Sequence, residues 1–169
     1  MPRTSPAFRL LAAVLCLGAF HLAGGTVQLA CASPTGGLVS WWPAEGNAMD
    51  IAGGNHGAPH SGVTFAPGQV GQAFSFDGQR AGINVPDAEN LRITDALTIS
   101  AWIQIASFPV GHHGMIFFRG DDRFGLDPYY LSTEADGTVD FHVESLTKAA
   151  DLKAPVPAGQ FVHVLATFD

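Results

Sequence analysis

Apolar and polar residues alternate along most of the chain after residue 37, and turn residues interrupt the alternation at short intervals. Residues 97–105 show the pattern best, since every second residue from Leu97 to Ile105 is apolar. Alternation with a period of two is typical of a strand that buries one face. No segment of helical length carries an apolar stripe with a period of 3.6 residues. The pattern therefore predicts an all-β protein.

The same pattern predicts nine short strands. They are Leu38–Trp42, Val63–Phe65, Gln72–Asp77, Gly82–Val85, Leu97–Ile105, Gly114–Arg119, Pro128–Thr133, Thr138–Leu146 and Gln160–Phe168. A Gly- and Asn-rich segment at 46–62 is long enough to indicate a functional loop. Strands at this spacing predict a two-sheet antiparallel sandwich or a jelly roll.

The charge of the chain excludes one class of partner. Fifteen acidic residues stand against eight basic ones, which gives a formal net charge of -7. Nucleic-acid binding needs clustered Lys and Arg, so we expect no nucleic-acid partner. Hydrophobic residues make up 47% of the chain and charged residues 14%, which favours a packed core. At this length, one domain is expected.

Residues 1–32 have the layout of a secretory signal peptide. Arg3 and Arg9 precede an apolar run at 10–23, which is too short for the roughly 20 residues that span a bilayer. Ala30-Cys31-Ala32 fits a signal-peptidase site, so we predict a mature chain that is secreted, periplasmic or on the cell surface, without membrane insertion. Cleavage would also remove Cys16 and Cys31, which excludes a disulfide in the mature chain.

Five ordered motifs occur between residues 37 and 169. They are GLVSWWP at 37–43, GNAMD followed by GGNHG within 46–57, GQVGQAFSFDG at 68–78, LTISAWI at 97–103 and FVHVLATFD at 161–169. Together they resemble the bacterial laminin G-like domain, a concanavalin A-like lectin/glucanase jelly roll. The resemblance implies a two-sheet antiparallel jelly-roll sandwich at 33–169.

Two departures from the family pattern change what the resemblance implies. Residues 79–82 replace an acidic segment of the family, which removes carboxylates from one loop. The family pattern also continues with further strands after the position of Asp169. The resemblance therefore implies an incomplete domain, a fragment whose C-terminal strands are missing.

A retaining glucanase of this fold carries a sequence that resembles Glu-x-Asp-x-x-Glu on one strand. Alternation along the strand then points the carboxylates into a cleft, as nucleophile and acid/base. The nearest match is Glu134-Ala135-Asp136, but Gly137 follows and the second Glu is missing. Asp136-Gly137 is better interpreted as a turn. We predict that the protein is not an enzyme and has no catalytic residue.

Calcium is the cofactor that the sequence suggests, because acidic loops of an exported sandwich supply the oxygen ligands that this ion prefers. The candidate ligands are Asp50, Asn55 and Asp77, with Asp121 and Asp122 as further acidic residues. The alternative is that Asp50 and Asn55 cap turns by accepting hydrogen bonds from nearby backbone.

A candidate ligand-binding face comes from three predicted strands whose polar faces could lie side by side. These strands supply Trp102, Gln104, Asp140, His142, Glu144 and His163. An aromatic ring flanked by hydrogen-bonding groups can hold a sugar ring. The alternative is a solvated outer face with Trp102 packed under a loop.

Two short motifs are weaker candidates. His112-His113 lies between glycines, where adjacent side chains of an extended segment diverge, so a solvated loop is favoured over a zinc pair. Arg119-Gly120-Asp121 spells an integrin-binding tripeptide, but it is better interpreted as the end of a strand and a turn.

We conclude from the sequence that the chain is an exported, non-catalytic module that binds an extracellular carbohydrate or protein ligand. One alternative is a structural or adhesion spacer within a larger surface protein. A second is a polysaccharide hydrolase. The fold alone does not choose among these functions.

The signal-peptide hypothesis makes a direct prediction. The exported protein should begin at Ser33 and carry no lipid, because Ala30-Cys31-Ala32 follows an apolar run and lacks the lipobox pattern. Intact mass and N-terminal sequencing of the exported protein check this. A mass that includes residues 1–32, or an acyl group on Cys31, would show that the hypothesis is wrong.

Overall fold

The computed structural model describes residues 36–120, 128–145 and 148–169, together with the backbone of residues 9–10. The predicted signal peptide lies outside these residues except for that two-residue piece of backbone. Asp121 and Asp122, two of the acidic residues considered for calcium, also lie outside them.

The described residues are all-β, with eleven strands and one 3₁₀ turn at Glu89–Leu91. The strands are β1 Arg9–Leu10, β2 Ala58–Pro59, β3 Thr64–Pro67, β4 Gln72–Ser75, β5 Ile83–Asn84, β6 Leu97–Gln104, β7 Gly114–Arg119, β8 Tyr129–Thr133, β9 Thr138–Ser145, β10 Lys148–Pro155 and β11 Phe161–Phe168. Within this part of the chain, no helix is long and apolar enough to cross a membrane.

The chain divides into two compact units. One unit is Val14–Arg92, and the other combines Met1–Ala13 with Ile93–Asp169. In the first unit, β2 pairs with β5 and β3 pairs with β4, both antiparallel. Phe65 and Phe74 face each other across the β3–β4 pair, with ring centroids 5.7 Å apart. The assignment of residues 33–169 to one domain stays a prediction.

The second unit contains two antiparallel sheets. One has the strand order β1-β11-β6, and the other has the order β10-β9-β8-β7. β11 pairs with β6 along its whole length, from Phe161 opposite Gln104 to Phe168 opposite Leu97. β1 extends this sheet by two residues, and removal of the predicted signal peptide would remove it.

The two sheets pack face to face around an apolar core. The four-stranded sheet contributes Leu131, Val139 and Phe141, and the three-stranded sheet contributes Val164 and Ala166. These residues occupy alternate positions of their strands, so the period of two seen in the sequence places one face of each strand in the core. The predicted all-β antiparallel sandwich is confirmed.

The predicted strand Leu38–Trp42 is wrong, since residues 38–44 form no strand. The backbone N–H of Trp41 donates to the carboxylate of Asp50 at 2.8 Å, and the carbonyl of Trp41 accepts from Ile51 at 2.9 Å. The loop at 50–57 therefore satisfies backbone groups that a sheet partner would otherwise use. Three strands, β1, β2 and β10, were not predicted.

The core makes a prediction about stability. Phe141 is 1% exposed and lies among core residues of both sheets. Phe141→Ala should lower the free energy of unfolding by about 3–5 kcal/mol, because it removes a buried ring and leaves a cavity. Denaturant unfolding measures this, with Val110→Ala at an exposed position as the control. A loss below about 1 kcal/mol would contradict the packing described.

Candidate functional site

β9 carries core residues on one side and titratable residues on the other. Val139, Phe141 and Val143 contact the core, so the alternate residues of the strand point to the outer side of the sheet. The register of β8 and β10 places further polar residues beside them. We call this set the polar face: Tyr130, Ser132, Glu134, Asp140, His142, Glu144, Asp151 and Lys153, with His113 at its edge.

Glu134 is held at one end of the polar face by two neighbours. The hydroxyl of Ser132 donates to its Oε1 at 2.6 Å, and His113 Nδ1 lies 2.8 and 2.9 Å from its two carboxylate oxygens. Burial by itself raises the pKa of Glu134, but the hydrogen bonds of Ser132 and His113 and the nearby positive charge outweigh it and lower the pKa. Glu134 therefore remains a carboxylate with engaged oxygens.

His142 occupies the middle of the polar face. Its Nδ1 lies 2.6 Å from Asp151 Oδ1, and its Nε2 lies 3.8 Å from Glu144 Oε2. Its ring stacks on Tyr130 with a centroid distance of 4.5 Å and an interplanar angle of 8°. Contacts on several sides fix the ring, so Tyr130 and His142 form a rigid aromatic pair beside the carboxylates.

Asp140 is the least satisfied group of the polar face. It is 3% exposed, and its Oδ2 lies 3.6 Å from Lys153 Nζ. Its Oδ1 is buried without a hydrogen-bond partner in the part of the chain that the structure describes. Burial raises the pKa of Asp140, and the nearby carboxylates of Asp151 and Glu134 raise it further. A buried acceptor without a donor is costly, which makes this oxygen a position where a ligand donor would be favourable.

The polar face borders solvent. The side chains of His113, Asp151 and Lys153 are each about half exposed, whereas those of His142, Glu144 and Asp140 are largely buried. The carboxylate of Asp140 is therefore recessed between exposed groups.

The six predicted ligand-binding residues divide between the two sheets. Asp140, His142 and Glu144 lie on the polar face, while Trp102, Gln104 and His163 lie on the outer side of β6 and β11. The predicted adjacency of all three strands is wrong, because β9 pairs with β8 and β10 in the four-stranded sheet, whereas β6 and β11 pair with each other in the other sheet.

The β6–β11 group forms a second, smaller cluster. Trp102 lies opposite His163 with ring centroids 5.0 Å apart, and His163 Nε2 lies 2.9 Å from the hydroxyl of Ser100. Gln104 donates from its amide to the carbonyl of Gly159 at 3.2 Å. Trp102 is 49% exposed, so it offers an aromatic surface on this side of the sandwich.

The proposed calcium ligand Asp50 is buried within its own loop. It is 4% exposed, and its carboxylate accepts backbone hydrogen bonds from Trp41, Ala52, Gly53 and Asn55 at 2.8–3.2 Å. Burial opposes ionisation, but these donors outweigh it and hold the pKa of Asp50 far below its ordinary value. The loop packs closely here, since a Cβ at Gly53 would collide with the carbonyl oxygen of Val39.

Asn55 and Asp77 are also engaged locally. The amide of Asn55 donates to Ser40 Oγ at 2.7 Å, and its backbone carbonyl accepts from the indole of Trp42 at 2.8 Å. Asp77 Oδ1 accepts from the backbone of residues 79–81. No group of three or more His, Cys, Asp or Glu suited to a metal ion occurs among the described residues. Calcium binding stays a prediction.

The remaining motifs have separate environments. His112 Nδ1 lies 3.0 Å from the carbonyl of Val110, while His113 contacts Glu134, so the two adjacent rings diverge as expected. Asp136 accepts from the hydroxyl and the backbone of Thr138, in agreement with a turn at Asp136-Gly137. The Asp121 of Arg119-Gly120-Asp121 lies outside the described residues.

Several members of the polar face were not predicted as ligand-binding residues. They are Tyr130, Ser132, Glu134, Asp151, Lys153 and His113. A usable signal was present in 148–155, where Ala150, Leu152 and Ala154 alternate with more exposed residues. The alternation is weak because alanine contributes little hydrophobic contrast, and Lys and Asp are rare in strands.

Packed antiparallel sheets with a polar outer face define a β-sandwich protein. The family described as the concanavalin A-like lectin/glucanases superfamily matches residues 77–169, which is more than half of the chain. The chain belongs to this superfamily, as its motifs indicated. No match was found among curated proteins or among solved structures.

The Asp50 loop makes a prediction about stability and calcium. Asp50→Asn should lower the free energy of unfolding by about 3 kcal/mol, because buried backbone donors lose a charged acceptor and face an amide. The loss should be equal in calcium and in chelator if the carboxylate acts as a turn cap. Thermal and urea unfolding measure it, and Asp87→Asn, which removes an exposed ion pair with Arg92, is the control.

The same variant has an expected pH dependence. Since folding lowers the pKa of Asp50 below 3.8, the carboxylate stabilises the fold fully above that pH and loses its contribution progressively as the pH falls from there through the folded value. The difference in the free energy of unfolding between wild type and Asp50→Asn should therefore be constant from about pH 7 to about pH 5.

The calcium comparison has a separate contrary outcome. A wild type that melts higher in calcium, with the gain lost in Asp50→Asn, would support the calcium site.

Proposed function

We propose that this protein is an exported, non-catalytic module that binds extracellular carbohydrate on the polar face. Membership of a superfamily of lectins and glucanases supports this class of ligand. The location on the four-stranded sheet is supported by the residues that the strand register brings together there.

The observation that carries the proposal is the recessed carboxylate of Asp140 beside an aromatic pair. Its Oδ1 lacks a donor among the described residues, and a sugar hydroxyl can donate a hydrogen bond to a carboxylate. The stacked rings of Tyr130 and His142 lie on the same face and can contact the apolar side of a sugar ring. Together they supply apolar contact and orienting hydrogen bonds in one place.

Two observations support binding without catalysis. The strand pattern Glu-x-Asp-x-x-Glu is absent, and residues 134–137 leave β8 in a turn. The carboxylate of Glu134, which a hydrolase of this fold would need free for substrate, is engaged by Ser132 and His113. A carboxylate held in this way is suited to fixing the side chains of Ser132 and His113.

The Trp102 side of the sandwich is the rival location. An exposed Trp beside His163 also favours a sugar ring or a protein surface. Two of its polar side chains are engaged, however: the amide of Gln104 donates to the carbonyl of Gly159, and His163 contacts the hydroxyl of Ser100. The polar face offers the unpaired acceptor, so we place the ligand there.

The test combines a glycan array with calorimetric titration of the glycans that bind. Asp140→Ala should weaken binding by tenfold or more, because a hydrogen bond to a charged group is worth about 1.5–3 kcal/mol. Trp102→Ala should leave the affinity within about twofold, and Val110→Ala, at an exposed position, is the control for folding and handling.

The alternatives give different results. If Trp102→Ala abolishes binding and Asp140→Ala does not, the ligand lies on the β6–β11 side. If no glycan binds, the proposal is wrong and a spacer role is favoured. Release of reducing sugar from a polysaccharide would show that the chain is a hydrolase.

A further inference from the structure

The charge of the polar face restricts the chemistry of its ligand. Among the described residues of this face, four are acidic and only Lys153 is permanently basic. The acidic ones are Glu134, Asp140, Glu144 and Asp151. The whole chain is acidic as well, with a net charge of -7. A uronic-acid or sulfated glycan would be repelled by this face, whereas a cationic ligand would be attracted.

The negative charge of the Asp140 carboxylate has little positive charge close to it. The nearest cation, Lys153 Nζ, lies 3.6 Å from Oδ2, which is longer than a strong charge-assisted hydrogen bond, and its side chain is half exposed. The other oxygen, Oδ1, is buried with no partner in the described part of the chain. The carboxylate is thus only partly compensated. A second ammonium at Oδ1 would supply both the missing hydrogen bond and the missing charge.

We propose that the ligand of the polar face is a glycan with free, protonated amino groups, such as a polymer of glucosamine that is not N-acetylated, and that one ammonium binds Asp140 Oδ1. This inference rests on the proposed carbohydrate-binding function and adds the class of sugar. Tyr130 and His142 then contact the sugar ring, and the exposed carboxylate of Asp151 faces the same ligand. A sugar fits this arrangement better than a lysine side chain, which has no ring to place against the aromatic pair.

The raised pKa of Asp140 agrees with this assignment. Burial and the carboxylates of Asp151 and Glu134 raise the pKa of Asp140 and so make its ionised form less favourable than that of an exposed aspartate. An ammonium at Oδ1 would favour the ionised form again, so binding should lower the pKa of Asp140. Binding should correspondingly weaken when the pH falls far enough to protonate this carboxyl. The other titratable or charged groups that face this region are His113, His142, Glu134, Glu144, Asp151 and Lys153.

The test uses three β-1,4-linked oligosaccharides of equal length that differ only at C2. They are oligomers of glucose, N-acetylglucosamine and glucosamine, which carry a hydroxyl, an acetamide and an ammonium at that carbon. Calorimetry on the full chain at a pH of about 6, below the ordinary pKa of an amine, should show that the glucosamine oligomer binds at least tenfold tighter than the others. Added salt should reduce the affinity for the glucosamine oligomer, because salt screens the attraction between its ammonium groups and the carboxylates. The affinities for the two neutral oligomers should stay the same.

Two variants with opposite expected effects sharpen the test. Asp140→Asn keeps the shape but removes the charge, and it should reduce the preference for the amine by about tenfold. Lys153→Met removes the competing cation and should raise affinity for the glucosamine oligomer several-fold. Glu89→Gln, which removes one negative charge outside the polar face, is the matched control. Unfolding of each variant is measured alongside, so that a folding defect is recognised.

Each outcome has a distinct meaning. Equal or tighter binding of the neutral oligomers would overturn the amino-sugar inference while leaving the proposed function intact. Absence of binding to any glycan would overturn both. If tetralysine binds as tightly as the glucosamine oligomer and depends equally on Asp140, the face recognises charge alone and the inference of a sugar is wrong.

Discussion

The pleat of β9 is the constraint on which the second unit depends. Neighbouring residues of a strand point to opposite sides of the sheet, so Phe141 can fill the core only if Asp140 and His142 point outward. A shift of the register by one residue would exchange the core and the polar face entirely. The turn at 134–137 fixes that register by joining β8 to β9 through paired backbone hydrogen bonds. Core packing and the geometry of the site therefore have one origin.

Two buried aspartates show how local donors decide the state of a carboxyl. Asp50 and Asp140 are 4% and 3% exposed, yet the pKa of Asp50 is lowered and that of Asp140 is raised. Asp50 sits where the chain turns around it and aims several backbone N–H groups at its oxygens. Asp140 sits within a regular ladder, where the backbone N–H groups of β8 and β10 are used by the sheet itself. The first carboxylate therefore organises a loop, and one oxygen of the second is buried without a hydrogen-bond partner among the described residues.

Period-two alternation was sufficient to predict most of the long strands and their buried faces. β6, β9 and β11 were all predicted within two residues at each end, because their apolar positions are large and regular. Alternation does not reveal which strands are neighbours, so Trp102 and His163 could not be separated from Asp140 before the sheets were known. The polar face also depends on β10, whose alternation is masked by alanines. The loop around Asp50 is set by side-chain acceptance of backbone hydrogen bonds, which has no periodic signal.

The buried Oδ1 of Asp140, unpaired among the described residues, lowers the stability of the fold. A buried acceptor without a partner costs about 1–3 kcal/mol, which is a large fraction of the stability of an ordinary domain. Burial of the adjacent Phe141 ring contributes stability of similar size, so the same strand can offset the cost of its polar side. Local conflicts of this kind are expected where a surface serves a ligand rather than the fold. Ser132 and Lys153 flank Asp140 without completing its hydrogen bonds, and a donor from the proposed ligand would remove this cost.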